Sequence, residues 1–77
     1  MPTLMRLNGI LIRMFAGDHH PPHFHVWTAT HGSAVVLLSD LSVSRGDVRT
    51  QEYELARAWA QDNMALLMSE WDRLNGR

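Results

Sequence analysis

The period of the apolar residues changes once along this chain, and that change constrains the fold more than any other feature. Up to Gly46 the apolar side chains stand in short runs or alternate with polar ones, which is typical of β-strands. Beyond Asp47 they recur with the period of an α-helix. Strands followed by helical structure that packs on them make an α+β fold, and this is the fold class that the sequence predicts.

Four short strands are predicted before this change, joined as a small antiparallel β-meander. The first covers residues 9–15, whose side chains are β-branched, apolar or aromatic, and it ends at the turn-like pair Gly17-Asp18. The second covers residues 23–28, where the side chains alternate between two sides. Residues 34–38 form the third strand and residues 41–44 a short fourth one.

The C-terminal part predicts an amphipathic helix or a kinked pair of helices. Its apolar residues fall on one half of a helical projection: Tyr53, Ala56, Trp59, Ala60, Met64, Leu66, Leu67, Trp71 and Leu74. Thr50 is the predicted N-cap, and Asn75-Gly76 is a natural end. One unbroken helix would overhang a small sheet, so we expect a break near residues 61–63, with Asp62 capping a second helix.

Elements that each have one apolar face must pack together, which gives the architecture of a single domain over residues 1–77. The helical stripe covers one sheet face, formed by the following residues or by their neighbours: Ile10, Ile12, Phe24, Val26, Val35 and Leu37. The other face then carries Leu11, Arg13, Phe15, His23, His25, Trp27, Val36 and Leu38. Because that face is too apolar to stay wholly in water, we expect an interface there with a partner protein or in a homo-oligomer. Arg13 either extends to the sheet edge or serves the histidines as an anion clamp.

Composition excludes several function classes. With no cysteine among 77 residues, the chain has no disulfide, no thiolate zinc site and no cysteine nucleophile. No apolar run is long enough to span a membrane and no signal-peptide core is visible, so we expect a cytoplasmic protein without membrane contact. Seven basic and eight acidic residues give a net charge of -1, which offers little support for nucleic acid as a partner.

The segment from Asp18 to His25 concentrates the chemistry, because it holds four of the five histidines and one carboxylate. In a strand, His23 and His25 point to the same side with Cα atoms about 6.6–7 Å apart, so their imidazoles can converge on one ion. Asp18 and His19 can complete the ligand set. The segment therefore predicts a divalent transition-metal site, for which imidazole and carboxylate suit zinc, nickel or iron(II).

Two other interpretations of this segment stay open. His23 and His25 can act as catalytic acid and base without a metal, because imidazole titrates near neutral pH. Alternatively, the histidines are structural, each ring packing on a neighbour and donating one hydrogen bond. His31 stands beside a glycine in a predicted hairpin loop, where a solvated side chain is expected.

Several stretches together resemble the bacterial family catalogued as domain of unknown function 4160: residues 1–3, 9–14, 18–26 and 63–71. The likeness covers nearly the whole chain, and its specific part is the Pro-Pro-His-x-His-Val core at residues 21–26. Two positions depart from the family's usual pattern. His20 stands where asparagine is common and adds a possible ligand, and Leu7-Asn8 replaces an aromatic pair.

The resemblance implies little about chemistry, because the family has no settled activity. Members are often encoded beside another small protein, which implies a two-gene, toxin-antitoxin-like module. On that basis the expected function is that of a protein-interaction module. The alternatives are a His-dependent, nuclease-like enzyme and a transition-metal-binding protein that uses residues 18–25.

Overall fold

The computed structural model of the chain describes residues 3–29 and 32–76. Within them, five strands precede two helices: β1 (Thr3–Leu7), β2 (Ile10–Arg13), β3 (His23–Thr28), β4 (Gly32–Leu37), β5 (Val43–Gly46), α1 (Thr50–Asp62) and α2 (Met64–Asn75). Each strand pairs antiparallel with the next one in the chain, so the sheet is a meander. The α+β fold predicted from the sequence is confirmed, with five strands instead of four.

The additional strand is β1, which pairs with β2 across the turn Asn8-Gly9. Both turn residues have positive φ angles, 47° and 83°. This is the backbone of the two-residue hairpin turns that Asn-Gly favours. The strand predicted at residues 9–15 is therefore too long at both ends, because its first residue belongs to a hairpin turn and β2 stops at Arg13.

In β2 and β3, the side chains that face the helices are the predicted ones: Ile10, Ile12, Phe24 and Val26. All four are buried, and they form one cluster with apolar side chains of α1 and α2. Alternation along the strands puts every second residue on this face. The prediction for these two strands is confirmed.

In β4, the pairing register decides which side chains reach the core. Phe24 lies directly opposite Val36, and side chains opposite each other share a sheet face. Val36 is therefore buried, as is Leu38 beyond the end of the strand. The prediction that Val36 and Leu38 lie on the uncovered face is wrong, because a shift of one residue exchanges the two faces of a strand. Val35 and Leu37 lie on the uncovered face in their place.

The helices leave most of the second face of the sheet uncovered, and it is called the open face. The strand pairings place the following side chains on it: Arg6, Leu11, Arg13, His23, His25, Trp27, Ser33, Val35, Leu37 and Arg45. The mixture of apolar, aromatic and basic groups agrees with the prediction for this face in β2 and β3. The expected interface on it stays a prediction.

The last strand begins later than the predicted fourth strand at residues 41–44. The connection from β4 continues through residues 38–42, in which Leu41 is buried with a φ of 61°. The carboxylate of Asp40 accepts hydrogen bonds from the backbone N–H of Ser42 at 3.0 Å and from its hydroxyl at 2.7 Å. This turn moves β5 to Val43–Gly46, where all four residues are exposed.

The predicted break between two helices is confirmed. α1 ends at Asp62 and α2 begins at Met64, with Asn63 between them at φ −131° and ψ 28°. Asn63 is the N-cap residue of α2, so the prediction of Asp62 for that position is wrong by one residue. Because the break changes the rotational phase of α2, Leu67 is buried whereas Leu66, predicted in the apolar stripe, is exposed.

The first helix is capped differently from the prediction. Arg49, not Thr50, is the N-cap residue of α1, and its backbone N–H donates to the carboxylate of Glu52 at 3.0 Å. The first-turn carboxylate thereby satisfies a donor at the positive end of the helix dipole. At the other end of the helical region, α2 stops at Asn75 as predicted, with Gly76 in the left-handed conformation.

The two helices contribute differently to the core. Ala56 and Ala60 are small and fully buried, which lets α1 lie close to the sheet. Leu67 and Trp71 of α2 are also buried and fill the space beside it. Burying a large apolar side chain of this kind contributes about 1.5–3 kcal/mol to stability.

Neither helix in the described ranges has the length and apolar character that a membrane crossing requires. The cytoplasmic location and the single-domain organisation stay predictions. His31 lies outside the described residues.

Candidate metal centre

The histidine-rich segment folds into the loop after β2 and the first half of β3. Pro21 and Pro22 restrict the backbone that enters β3, and the peptide bond between His20 and Pro21 is cis. His23 and His25 then lie on the same sheet face, because alternate residues of a strand point to the same side. The centroids of their rings are 5.2 Å apart.

Two imidazoles and one carboxylate converge in the loop. The Oδ2 atom of Asp18 lies 2.8 Å from Nε2 of His23 and 3.2 Å from Nε2 of His25. One ligand atom from each of these three residues lies within 4.8 Å of the other two. The structure thus brings together three of the four residues that the sequence predicts as metal ligands.

The contact made by Nδ1 of His23 determines which ring nitrogen carries the lone pair in the neutral side chain. Nδ1 lies 2.7 Å from the carbonyl oxygen of Pro21. A carbonyl oxygen can only accept, so Nδ1 carries a hydrogen and donates it. In neutral His23 the lone pair is then on Nε2 and points at the carboxylate of Asp18. Two electron-rich atoms held 2.8 Å apart need a proton or a metal cation between them.

The spacing of these atoms matches the ligand shell of a transition metal. Zinc binds imidazole nitrogen and carboxylate oxygen at about 2.0–2.2 Å. Ligands at that radius are about 3.0 Å apart in an octahedral shell and about 3.4 Å apart in a tetrahedral one. The two distances from Asp18 Oδ2, 2.8 and 3.2 Å, are close to these separations. Two of the three ligand pairs are therefore spaced like ligands of one ion.

The two histidines before the diproline stand outside this group. Nδ1 of His19 lies 3.2 Å from Oδ1, the other oxygen of Asp18, and the His19 side chain is largely exposed. The backbone N–H of His19 donates to the same Oδ1 at 2.9 Å. His20 is exposed, and its ring centroid lies 5.6 Å from that of Trp71. His19, the fourth predicted ligand, thus lies beside the three converging groups instead of among them.

Asp18 is in its ionised form at neutral pH. Partial burial raises the pKa of this carboxyl group, but the hydrogen bonds with His25, with the backbone N–H of His19 and with His23 outweigh that effect. The electrostatic influence of His23 acts in the same direction, so the pKa of Asp18 lies below its ordinary value. A carboxylate that stays charged is suited to bind a cation.

Residues distant in sequence hold Asp18 in place. Oδ1 of Asn75 accepts a hydrogen bond from the backbone N–H of Asp18 at 2.8 Å, and Nδ2 of Asn75 donates to the carbonyl oxygen of Phe15 at 3.3 Å. The ring of Trp71 packs on that of His23, with centroids 5.1 Å apart. The sequence indicates Asn75 only as a helix end and Trp71 only as a core residue. No local signal points to their contact with the histidine segment.

A shallow depression of about 70 Å³ on the open face leads to the site. His25 and Arg45 line it, together with the buried His23. The side chain of His23 is 2% exposed, whereas those of Asp18 and His25 are 16% and 22% exposed. Water or a small ligand therefore approaches from the side of His25, while His23 supports the site from beneath.

The chain matches a known protein family over most of its length. The model of that family, described as Domain of unknown function (DUF4160), matches residues 9–72. The matched range contains Asp18, His23, His25 and Trp71, and it stops before Asn75. No curated protein and no solved structure matches the chain.

Proposed function

We propose that this chain, which belongs to the DUF4160 family of unknown function, is a transition-metal-binding protein. Its ligands are Asp18, His23 and His25, and the ion is zinc, nickel or iron(II), which this combination of imidazole and carboxylate suits. Three protein ligands leave coordination positions open to water or a substrate. These positions face the depression beside His25.

One observation carries this proposal. The Pro21 carbonyl accepts a hydrogen bond from His23 Nδ1, so in neutral His23 the lone pair is on Nε2, 2.8 Å from the carboxylate of Asp18. Histidines that bind metals commonly donate their second N–H to a backbone carbonyl in this way, because the bond fixes the tautomer and orients the ring. His25 adds a second imidazole nitrogen beside the same oxygen.

The proposal is tested by metal binding to protein prepared without a histidine tag. Elemental analysis of the purified protein and titration calorimetry with zinc should give one ion per chain. Asp18→Asn and His25→Ala each remove one ligand and should weaken zinc binding by at least about tenfold. Circular dichroism of each variant establishes that the fold is retained. Untagged protein that carries no metal and takes up none contradicts the proposal.

The neighbouring histidines provide matched controls. His20→Ala removes an exposed imidazole from the same loop and should leave zinc affinity unchanged, because His20 contacts Trp71 and not Asp18. His19→Ala should have a small effect, since the His19 side chain lies beside the outer oxygen of Asp18 and the ring of His23 without reaching Asp18 Oδ2. If His19→Ala weakens zinc binding as much as His25→Ala, the site has the four ligands that the sequence predicts.

A His-dependent, nuclease-like enzyme is the alternative for the same residues. His23 is buried with both ring nitrogens beside acceptors, so it is suited to positioning. His25 lies at the depression, where it can exchange a proton with a substrate. RNA cleavage that persists in a metal chelator and disappears in His25→Ala favours this alternative. Cleavage that a chelator abolishes and zinc restores favours the metal centre.

A protein-interaction role in a two-gene, toxin-antitoxin-like system is a second candidate function. The observation that favours it is a set of large apolar side chains that are exposed: Leu7, Trp27, Val43, Leu66 and Met68. A chain of 77 residues buries a small share of its surface, so a partner protein adds apolar burial that the chain lacks alone.

This second candidate is tested by producing the chain together with the product of the adjacent gene. Light scattering during size-exclusion chromatography should give the mass of a stable complex. Replacing the exposed Leu66 and Met68 by serine tests the helical side of the surface, because neither residue belongs to the buried core. A chain that stays monomeric and does not bind the neighbouring gene product contradicts this role.

A further inference from the structure

The charges of this chain are divided between its two layers. The five strands contain three arginines, Arg6, Arg13 and Arg45, and no acidic residue. The helices contain five acidic residues, three in α1 and two in α2, and one arginine each. The net charge of -1 for the whole chain therefore conceals a basic sheet and an acidic helical layer.

Strand pairing places all three arginines on the open face. Two rows of directly opposed side chains contain them: Arg6-Leu11-Trp27-Ser33 and Arg13-His25-Val35-Arg45. Neighbouring strands are about 4.8 Å apart, so the distance from β1 to β5 across the face is about 19 Å. A cationic surface of that width is long enough for several nucleotides of an extended strand.

The sheet arginines differ from the helix arginines in their partners. In the helices, Arg57 lies 3.9 Å from Glu54, and Arg73 lies 2.6 Å from Glu70. Within residues 3–29 and 32–76, no carboxylate lies within 4.0 Å of a sheet arginine. The charge of the open face is thus left for a ligand to neutralise.

An exposed aromatic ring lies among these cations. Trp27 is 41% exposed, and the guanidinium carbon of Arg13 lies 5.7 Å from its ring centroid. Arg6, Leu11 and Trp27 line a groove of about 350 Å³. That volume is within the range of about 300–1,000 Å³ that is usual for ligand sites.

We propose that the open face binds a single-stranded nucleic acid. Trp27 stacks on a base in the groove beside Arg6, and the three arginines contact phosphates along the strand. An aromatic side chain on a basic surface is the arrangement by which proteins hold single strands, because each base offers a stacking face and each phosphate a charge. The residues assigned to these contacts are Trp27 and the three arginines, and none of them is a proposed metal ligand.

The same charges argue against the open face as a homodimer contact. A two-fold interface sets one patch against its own copy. Two open faces packed together would bring six arginines into one interface, and within the described residues Asp18, the carboxylate that borders this face, is engaged by histidines. Like charges in contact destabilise such an interface.

The test is fluorescence anisotropy with labelled oligouridine and oligothymidine of about ten nucleotides, and with a duplex of the same length. A chelator in the buffer keeps the result separate from the metal site. Three phosphate contacts predict that the logarithm of the binding constant falls with the logarithm of salt concentration with a slope of about −2. Both single strands should bind more tightly than the duplex, and their ratio shows whether ribose is preferred.

Substitutions on the open face should separate the contribution of the arginines to binding from that of Trp27. Arg6→Gln and Arg45→Gln change exposed residues, and each should reduce the salt slope by about 0.7. Trp27→Leu keeps an apolar side chain but removes the stacking ring, and it should weaken binding on the order of tenfold at unchanged slope. Arg57→Gln on α1 is the matched control and should leave binding unchanged.

Several results overturn the proposal. Oligonucleotides that do not bind, a duplex that binds as tightly as the single strands, or binding that Arg6→Gln and Arg45→Gln leave unchanged each contradict it. Oligoglutamate that binds as tightly as oligouridine and is insensitive to Trp27→Leu assigns the face to an acidic protein. A dimer in light scattering that Trp27→Ser dissociates assigns it to a second copy of the chain.

Discussion

The two faces of the sheet are made by the same strands and obey different constraints. On the covered face, Ile12, Phe24 and Val26 are fully buried against the helices, so their shape is fixed by packing. On the open face, the neighbouring positions carry His25 and Trp27, together with arginines. One face therefore stabilises the fold, while the other is free to carry binding groups, including the proposed metal ligands.

The largest expected effect is a loss of stability, and it compares one aromatic residue from each face of the sheet. Phe24→Ala leaves a cavity in the core and should cost about 3–5 kcal/mol, a large part of the about 4–12 kcal/mol expected for a chain of this length. Trp27→Ala removes a side chain that is 41% exposed and should cost about 1–2 kcal/mol. Urea denaturation measures both. Equal losses would mean that the open face is part of the core.

A smaller effect is expected from two adjacent valines of β4. Val36 faces the core and Val35 the open face. Val36→Ala should cost about 2 kcal/mol, because it removes two buried methyl groups and leaves a cavity. Val35→Ala should cost less than about 1 kcal/mol. Thermal denaturation of the pair tests the register directly, since a shift by one residue would reverse the order.

A third prediction concerns the residue that ties the helical layer to the metal site. Asn75→Ala removes the acceptor for the Asp18 N–H and should cost about 1–2 kcal/mol. It should also weaken zinc binding by about tenfold, because Asp18 loses its support. Asn63→Ala is the matched control, since Asn63 donates to the Trp59 carbonyl away from the site. It should lower stability without changing zinc affinity in calorimetry.

The smallest expected effect lies in the turn between β4 and β5, which belongs to neither face. The hydrogen bond from the Ser42 side chain, with that from the Ser42 backbone, holds the pKa of Asp40 below its ordinary value. Ser42→Ala should raise this pKa while leaving it lowered by the backbone bond. Because the folded-state pKa is depressed, the stabilisation is present above the unfolded pKa and is lost as pH falls through the folded one. Carboxyl NMR titration of both proteins measures the change.

Much of the fold follows from the sequence because its period changes once. Alternation along β3 predicts both that Phe24 and Val26 face the core and that His23 and His25 share a face, and helical spacing predicts Trp71 as a core residue. These are properties of single segments. They depend on geometry that each strand or helix has by itself.

The rest of the fold and of the candidate site depends on contacts between segments, and no single segment of the sequence predicts them. Val35 and Val36 are equally apolar, so only the pairing of β4 with β3 decides which one is buried. Leu66 is exposed because α2 restarts its phase at Asn63. Asn75 contacts Asp18 across 57 positions of sequence, and no local sequence pattern at either residue predicts this contact.

That long-range bond has a consequence for the order in which the chain can mature. The three proposed ligands occur early, within residues 18–25, but the amide that positions Asp18 is supplied by Asn75 in the last turn of α2. Synthesis runs from the N-terminus, so the nascent chain contains all three proposed ligands before Asn75, which positions Asp18, has been added. Under the proposed function, tight binding of an ion therefore requires that α2 has docked, so a metal-bound chain is one whose folding is complete.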